Sequence, residues 1–327
     1  MRRVLTATIF CAVALAASAS ARQEKPKQEE KKRTSQTHIV DTREGETRLV
    51  IQDSDTGLRL DMNLKRVRFN DDYSDVAEVE PGGFLEIRET RAGETRRLDI
   101  EPDSQGRLRY LYRVRGDDRP FDDEGRAWLR RVMLERVEAG FDAENRAARL
   151  YRNGGARAVV EAARRLKSGY ARAAYFRQLA KLDGPRDETA VEILRSAARD
   201  QFSDYERAGV LAAIAKRPPS GSQARESFFE GVRKIQSDYE RSRVLMTLLK
   251  ADDLNDEWAL AAVRAVSASA SDYEKARVLV AAVRAFGDRR KVVDAVLETS
   301  KGIASEYERK RVVTAAERSG RTATKEL

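Results

Sequence analysis

The chain has 327 residues, 36% of them charged, with a formal net charge of +9, one cysteine and one histidine. Cys11 lies in an apolar N-terminal run and His38 in a strongly polar segment. No other part can therefore supply a Cys/His zinc site, a Cys/His dyad or a Ser/His/Asp triad. Carboxylate-only or Ser/Lys chemistry is not excluded, but neither has a motif here. The sequence predicts a protein that is not an enzyme and that uses no cofactor or metal.

The N-terminal residues have the features of a secretory signal peptide. The basic start Met1-Arg2-Arg3 precedes an apolar run from Val4 to Ala17, and Ala19-Ser20-Ala21 is a small-residue cleavage site. Cleavage after Ala21 would lower the net charge by two, from +9 to +7. An uncleaved anchor is the alternative. No second run approaches the roughly 18 apolar residues of a membrane-spanning helix, so we expect a periplasmic or secreted mature chain with no transmembrane helix.

Residues 22–46 are dominated by Lys, Glu, Gln, Arg and Thr, a composition that predicts a disordered linker. From residue 47 to residue 121 the apolar side chains recur with period two, as at Leu58, Leu60 and Met62. Turn-forming Gly, Asn and Asp residues separate these runs. We predict five or six strands in a small antiparallel β domain.

Arginines cluster on the last predicted strand of this domain and on the hairpin before it. Arg107, Arg109, Arg113 and Arg115 share one side of the strand, and the hairpin adds Arg88, Arg91, Arg96 and Arg97. A basic sheet face of this kind is a candidate site for an anionic polymer or a lipid head group. The alternative is a solvated face of cross-strand ion pairs, because carboxylates lie on the same hairpin: Glu86, Glu89, Glu94, Asp99 and Glu101.

From residue 122 onward the chain is rich in Ala, Arg, Glu, Leu and Val and shows no strand-like alternation, which predicts an all-helical region. Trp128, Leu129, Val132 and Met133 form the apolar stripe of a first helix. Residues 143–151 and 156–166 resemble a degenerate helical pair with a loop at residues 153–155. The fold class predicted for the whole chain is therefore α+β and multidomain.

The tetrapeptide Ser-Asp-Tyr-Glu begins at Ser203, Ser237 and Ser271 and returns at Ser305 as Ser-Glu-Tyr-Glu, at a constant interval of 34 residues (237 − 203 = 34). A diverged copy begins at Ser168. A fixed period of this length is typical of solenoids, in which each unit buries its apolar face against its neighbours. We predict a right-handed α-solenoid of helical hairpins over residues 122–318, with repeat helices starting near residues 168, 203, 237, 271 and 305, and a polar tail over residues 319–327.

Each residue of the tetrapeptide has a predicted structural role. A serine followed three residues later by glutamate is a capping box, which satisfies two main-chain N–H groups at a helix start. The aspartate adds negative charge where the helix dipole favours it. The tyrosine is expected to take a core position between adjacent units with its hydroxyl at the rim, and a ligand-reading row of tyrosines is the alternative. The repeat residues are Ser203, Tyr205, Glu206, Ser237, Tyr239, Glu240, Ser271, Tyr273, Glu274, Ser305, Tyr307 and Glu308.

The sequence of the second helix varies more between units than the sequence of the first helix. A partner is expected to bind at variable, solvent-facing positions of such a repeated frame. Second helices are predicted over residues 188–198, 223–235, 256–266 and 289–300. The candidate partner-binding residues are Arg225, Lys234, Arg264, Arg289 and Lys291. The alternative for each of them is an ordinary solvated position.

The period matches the tetratricopeptide repeat, but the Trp, Leu-Gly, Tyr and Ala positions of that repeat are missing. The order of Gly125-Arg126-Ala127-Trp128-Leu129, then Ala143-Glu144-Asn145-Arg146, then serial Ser-Asp-Tyr-Glu helices is similar to HEAT-like regions of uncharacterised bacterial exported proteins. It also resembles the extracytoplasmic regions of some sensor metallopeptidases of the kind that includes the beta-lactam sensor BlaR. The peptidase motif His-Glu-x-x-His is absent, so the resemblance implies a sensing or scaffolding module without peptidase activity.

Two functions follow from these patterns. The first is a non-enzymatic extracytoplasmic scaffold that binds an envelope or secreted protein through the solenoid surface. The second is a binder of an anionic envelope polymer or lipid head group that uses the arginine face of the β domain. No nucleic acid partner is predicted.

Overall fold

A computed structural model describes residues 36–43, 46–183 and 187–323. The chain divides into two compact units between Leu134 and Glu135. The described residues contain an antiparallel β region followed by eleven α-helices, which confirms the α+β class. The predicted signal peptide, residues 1–21, lies outside the described residues.

The first unit contains a seven-stranded antiparallel sheet and a separate two-stranded hairpin. The strand order in the sheet is β1-β2-β3-β6-β7-β8-β9, and the hairpin β4-β5 lies in the connection from β3 to β6. The strands are β1 Gln36–Arg43, β2 Glu46–Asp53, β3 Leu58–Asn63, β4 Val67–Phe69, β5 Val76–Val79, β6 Leu85–Arg91, β7 Glu94–Pro102, β8 Leu108–Val114 and β9 Asp117–Arg119.

The described part of the chain has nine strands, so the expectation of five or six strands is wrong. Strand β1 falls in residues assigned to a disordered linker, and it pairs along its whole length with β2. Main-chain hydrogen bonds to a neighbouring strand stabilise this segment, and a prediction from amino-acid composition does not include their contribution. At the opposite edge β9 is exposed at every residue and shows no alternation in sequence. The linker prediction therefore fails for residues 36–43.

The core of the first unit lies on one face of the sheet. Leu60, Ile87, Leu98 and Ile100 are fully buried there, as the period-two pattern predicts. Helix α1, Asp123–Ala139, carries the predicted apolar stripe, and its tryptophan, leucine, valine and methionine are buried. The sheet and the first turns of α1 thus form a single hydrophobic core in this unit.

The second unit is helical throughout its described residues. Helix α2 consists of two helical segments that meet at Gly155 (φ 65°, ψ −164°), a conformation that glycine adopts without steric cost. This break falls within the predicted loop at residues 153–155. The helices are α2 Ala143–Arg165, α3 Gly169–Asp183, α4 Asp187–Arg199, α5 Asp204–Ala215, α6 Ser222–Lys234, α7 Asp238–Leu248, α8 Asp256–Ala265, α9 Asp272–Phe286, α10 Arg290–Ser300 and α11 Glu306–Ala323.

The helices that follow the repeated serine, α3, α5, α7, α9 and α11, are called the first helices here, and α4, α6, α8 and α10 the second helices. Each first helix packs against the next first helix, and each second helix against the next second helix. One continuous hydrophobic cluster runs from Ala143 to Ala316 between them. Helix α11 continues to Ala323, so the polar tail predicted from residue 319 is helical over its described part. The right-handed, HEAT-like solenoid geometry stays a prediction.

The repeated serines cap the first helices. The Oγ atoms of Ser203, Ser237 and Ser271 each accept the main-chain N–H three residues later at 3.3 Å, and Ser305 does so at 3.4 Å. The full reciprocal box is present at Ser203, whose N–H donates to Glu206 at 2.8 Å. In the three later copies the glutamate instead accepts from an arginine three residues on, as Glu240 does from Arg243.

The aspartate that follows each serine ties one unit to the next. The Ser237 N–H donates to Asp204 Oδ2 at 2.7 Å, and the same link recurs 34 residues later from Ser271 to Asp238 at 2.8 Å (238 − 204 = 34). A third link joins Ser305 to Asp272 at 2.7 Å. The N–H of Ser305 and the ammonium of Lys275 hold the pKa of Asp272 below its usual value. Sequence reasoning had given these aspartates only a helix-dipole role.

The diverged copy explains why Ser203 alone keeps the reciprocal box. Gly169 stands where the later copies have aspartate, so no carboxylate of α3 is available to the Ser203 N–H. A Cβ at Gly169 would lie 2.9 Å from the Gln201 carbonyl oxygen and 3.3 Å from a carboxylate oxygen of Glu206. Glu206 occupies this space and accepts the N–H instead.

A basic residue four positions after the serine holds the loop that precedes each first helix. Arg207 is 8% exposed and donates to the carbonyl oxygens of Ala197 at 2.8 Å and Asp200 at 3.0 Å. These main-chain carbonyls satisfy most of the buried guanidinium, and Asp204 lies 4.0 Å from it. The equivalent residues Arg172, Lys275 and Arg309 also donate to loop carbonyls. The pattern is visible in the sequence as a basic residue in every copy, and sequence reasoning missed it.

We expect Asp238→Ala to lower the unfolding free energy of the helical unit by about 2 kcal/mol, because hydrogen bonds to a charged acceptor each contribute roughly 1.5 to 3 kcal/mol. Asp238 accepts the N–H groups of Ala270 and Ser271 and pairs with Arg241. Urea titration followed by helical circular dichroism measures the change.

Glu306→Ala is the matched control. Glu306 occupies the same position in the last copy and is exposed, and none of the described residues follows it as a further unit. Its removal is expected to cost under about 0.5 kcal/mol, as at an ordinary surface site. Equal losses in the two variants would contradict the role given to the aspartate.

Candidate functional site

The repeated tyrosines are exposed, and the prediction that they pack in the core is wrong. Tyr205, Tyr239, Tyr273 and Tyr307 are 65%, 58%, 54% and 73% exposed. A helix turns about 100° per residue, so each tyrosine shares its side with the residues four, seven and eleven positions on. The buried stripe passes through other positions, such as Val244. The alternative interpretation, a row of tyrosines available to a ligand, is the one that the exposures favour.

Basic residues share this side of the first helices. An arginine lies four positions after the tyrosine on α7, α9 and α11, and a lysine or arginine lies eleven positions after it in all five copies. We call the surface formed by these residues the tyrosine–arginine face. Its members lie on the first helices or directly after them. They are Tyr170 and Lys181 on α3, Tyr205 on α5 with Lys216 after it, Tyr239 and Arg243 on α7 with Lys250 after it, Tyr273, Arg277 and Arg284 on α9, and Tyr307, Arg311 and Arg318 on α11.

The arginines of this face lie over the tyrosine rings. The guanidinium carbon of Arg243 is 6.0 Å from the ring centroid of Tyr205, which belongs to the preceding unit. Tyr273 has two such neighbours, Arg277 at 5.7 Å and Arg311 at 5.9 Å. Cation–π contacts of this kind hold a planar cation and an aromatic ring in fixed relation. Units are therefore joined on the exposed side as well as at the caps.

Each arginine is also held by the glutamate three residues before it. The Nη1 atom of Arg277 donates to both carboxylate oxygens of Glu274, at 2.9 and 2.8 Å, and Nε of Arg243 donates to Glu240 at 2.7 Å. Glu274 itself is buried and accepts a hydrogen bond from the Ser242 hydroxyl. The arginines are thus oriented by the repeat and not free to turn.

Two grooves run along the tyrosine–arginine face. The larger one, about 740 Å³, lies across α7, α9 and α11 and has basic walls that include Lys250, Arg284 and Arg311. Apolar side chains, among them Met246 and Val280, also line it. The smaller groove, about 450 Å³, lies across α3, α5 and α7, and its lining residues include Arg177, Tyr205, Lys216, Arg217 and Arg243.

Part of the positive charge on this face is uncompensated. Among the described residues, no carboxylate lies within 4.0 Å of the cationic groups of Lys216, Arg217, Lys250 or Arg284, all of which are exposed. Asp253 is the one carboxylate among the described residues that line the larger groove. The face can therefore attract an anionic group without first breaking an ion pair at these four positions.

The predicted partner-binding residues of the second helices separate into two groups. Arg225 pairs with Glu257, and Arg289 donates to the Leu254 carbonyl at 2.6 Å and to Asp256 at 3.2 Å. Of the five, Arg289 alone lines a groove of the tyrosine–arginine face among those described here. Lys234, Arg264 and Lys291 lie on second helices, exposed, with no carboxylate within 4.0 Å among the described residues.

The four predicted anion-binding arginines of β8 and its flanks all pair with carboxylates. Arg107 pairs with Asp103 at 2.8 Å, Arg109 with Glu101 at 3.2 Å, Arg113 with Asp118 at 2.9 Å and Arg115 with Glu94 at 3.2 Å. Ion pairs of this kind reduce the charge that the face presents to an anion.

Glu89, expected on the solvated hairpin, is instead buried on the core face of the sheet. The Trp128 indole donates to it at 2.8 Å and the Arg131 guanidinium at 3.1 Å. Burial raises its pKa, but these two hydrogen bonds outweigh the effect and leave the pKa of Glu89 below its usual value. Glu89 holds the start of α1 to the sheet, and among the hairpin arginines it pairs with Arg91, at 3.9 Å.

A row of arginines crosses the outer face of the sheet in register. Arg59, Arg88, Arg97 and Arg113 stand directly opposite one another on β3, β6, β7 and β8. Like charges directly opposite are destabilising unless something neutralises them. Arg97 and Arg113 pair with Asp99, whereas Arg88 has no carboxylate within 4.0 Å among the described residues. Arg88, Arg97, Arg113 and Arg115 line a depression of about 610 Å³.

Within the described ranges, no group of three or more His, Cys, Asp or Glu side chains is arranged to hold a metal ion. The same ranges contain no helix with the length and hydropathy needed to span a bilayer. No protein-family model, no curated protein and no solved structure matches this chain.

We expect Tyr239→Ser to change the unfolding free energy by less than about 0.5 kcal/mol, because the side chain is mostly exposed. Trp258→Ala, at a fully buried site in the same unit, is the contrasting variant and is expected to cost about 3 to 5 kcal/mol. Urea titration of both proteins by circular dichroism compares them. A large loss of unfolding free energy in Tyr239→Ser would contradict the exposed position of Tyr239 and indicate a core residue.

Proposed function

We propose that this protein is a non-enzymatic scaffold that binds a partner protein through the tyrosine–arginine face of its first helices. The helices α3 to α11 would form a right-handed, HEAT-like α-solenoid, and the first helices would line its binding surface. The expected setting is the periplasm or the cell exterior, as the N-terminal sequence predicts. The partner would be an envelope or secreted protein.

The observation that carries the proposal is the repetition of exposed tyrosine and uncompensated basic charge on successive first helices. Tyrosine and arginine are the residue types enriched at the energetic centres of protein interfaces, because both bury a large planar group with few rotatable bonds per contact. The tyrosines stay exposed although the apolar cluster lies just beneath them. Structural stability does not require five exposed tyrosines in register, whereas a binding surface does.

The hydrogen bonds between neighbouring units support the same proposal. The aspartate hydrogen bonds hold neighbouring first helices in one register, so equivalent side chains recur at a regular interval along the face. The resemblance to extracytoplasmic regions of sensor metallopeptidases also favours a sensing or scaffolding role.

A triple variant of the face tests the proposal. We expect Lys216→Gln, Lys250→Gln and Arg284→Gln, combined in the full chain, to reduce capture of a specific partner from an envelope extract of the source organism at least about tenfold. All three side chains are exposed and without a carboxylate within 4.0 Å among the described residues, so the fold is expected to be unaffected. Quantitative mass spectrometry of the retained proteins gives the measurement.

The matched control removes the same charge from the second helices. Lys234→Gln, Arg264→Gln and Lys291→Gln also delete three exposed cations with no carboxylate within 4.0 Å among the described residues, and these positions belong to the surface favoured by sequence reasoning. Capture is expected to persist. Loss of capture in the control and retention in the first triple variant would place the partner on the second helices and overturn the proposal for this face.

The arginine row of the sheet supports a second candidate function, binding of an anionic polymer or lipid head group. Arg88 is exposed, has like-charged neighbours on both adjacent strands and has no carboxylate within 4.0 Å among the described residues. An anion that bridged Arg88 and its neighbours would relieve their repulsion. The ion pairs of Arg97, Arg107, Arg109, Arg113 and Arg115 make this surface the weaker of the two.

For this second candidate we expect the full chain to be retained on immobilised polygalacturonate and released by salt, because exposed charge interactions are screened above about 0.15 M ionic strength. Arg88→Ser should lower the salt concentration needed for release. Arg119→Ser is the control, since Arg119 is equally exposed but stands opposite Tyr112 and outside the row. Identical release of the two variants would remove the arginine row as a binding site.

A further inference from the structure

On the basis of the proposed function, we infer that the tyrosine–arginine face binds an extended, acidic segment of the partner, with a carboxylate at about every third residue. The segment would cross successive first helices, and not lie along one of them. The inference adds a ligand class and a charge spacing to the scaffold proposal.

Charge complementarity identifies the ligand as acidic. The cations eleven residues after each tyrosine recur on every first helix, and Lys216, Lys250 and Arg284 are exposed without a carboxylate within 4.0 Å among the described residues. The neighbouring row, Arg243 and Arg277, already forms hydrogen bonds with glutamates of the repeat. The two rows therefore differ in role. Lys216, Lys250 and Arg284 remain to meet the ligand, and Arg243 and Arg277 hold the tyrosine rings in place.

The spacing of the helices identifies the ligand as extended. Helices that pack side by side lie about 8 to 10 Å apart, so equivalent cations on successive first helices recur at about that distance. A segment extended in the polyproline II conformation has three residues per turn and rises about 3.1 Å per residue, so every third side chain points to the same side, at intervals of about 9 Å. A helical ligand rises only about 1.5 Å per residue and would place its charges in a different register. A carboxylate at every third residue of an extended segment matches the cation row.

The apolar part of the larger groove favours a peptide over an anionic polysaccharide. Met246, Val280 and Phe286 line this groove beside Lys250 and Arg284. A peptide can place an apolar side chain in such a groove beside the carboxylates, because the side chains of a polyproline II segment point in three directions around its axis. A polysaccharide has charge but no apolar side chain to bury. Both kinds of contact are thus available only to a peptide.

The test compares labelled synthetic peptides on the purified full chain by fluorescence anisotropy. Two peptides of about 15 residues share one composition of glutamate, leucine and serine, and differ in having the glutamates at every third position or in one block. A third peptide has lysine in place of each glutamate of the spaced peptide. Polygalacturonate serves as the competitor. The Lys216→Gln, Lys250→Gln, Arg284→Gln variant and the second-helix control variant are measured alongside.

We expect the spaced peptide to bind at least about tenfold more tightly than the block peptide, and the lysine peptide not to bind. The variant of the face should lose at least about tenfold in affinity for the spaced peptide, and the second-helix control should lose none. Circular dichroism of both variants confirms that neither is unfolded.

Equal binding of the spaced and block peptides would overturn the inferred spacing. Polygalacturonate that binds more tightly than the spaced peptide, with the same dependence on Lys216, Lys250 and Arg284, would identify a polysaccharide as the occupant and overturn the peptide inference. If no acidic peptide binds while the triple variant still loses its captured partner, the scaffold proposal stands and the acidic segment is wrong. If neither assay depends on the face, both fail together.

Discussion

The helical unit depends on one hydrogen bond repeated between its copies, from the main-chain N–H of a capping serine to the aspartate of the preceding copy. It occurs at Ser237, Ser271 and Ser305, at 2.7 to 2.8 Å. The acceptor is charged and lies in the first turn of its own helix, where the helix dipole also stabilises it. One carboxylate thus serves two helices. Because the donor is a main-chain group, the link fixes the position of the next helix start and not only of a side chain.

This constraint explains how a row of exposed side chains is kept in register. When successive helix starts are tied at one atom, residues at equal distance from each start lie at equivalent places on neighbouring helices. Tyr273 is accordingly met by Arg311 from the following unit at 5.9 Å, and Tyr205 by Arg243 at 6.0 Å. The diverged copy, with Gly169 in place of the aspartate, lacks the link and relies on Glu206. Regular spacing on the surface is therefore a consequence of the caps.

The two basic surfaces of the protein differ in how their charge is used. In the sheet, Arg107, Arg109, Arg113 and Arg115 pair with carboxylates, so most of their positive charge is compensated by neighbouring side chains of the same region. On the first helices one row of arginines is paired, whereas Lys216, Lys250 and Arg284 of the second row have no carboxylate within 4.0 Å among the described residues. An unpaired exposed cation contributes nothing to the fold that a neutral side chain could not, whereas it attracts an anionic partner over about a Debye length. The contrast favours the helices as the binding surface.

Sequence alone determined where the first helices begin and where the β region gives way to helices, because a capping serine and a period of apolar residues act over a few neighbouring positions. It did not predict β1 or β9, whose order comes from main-chain pairing with another strand. Nor did it predict which side of each helix is exposed. Tyr205 and its equivalents are of a residue type that often packs in cores, but the packing of neighbouring helices leaves them exposed to solvent. Whether a side chain is buried depends on both of the surfaces that pack together, and the sequence of one helix specifies only one of these surfaces.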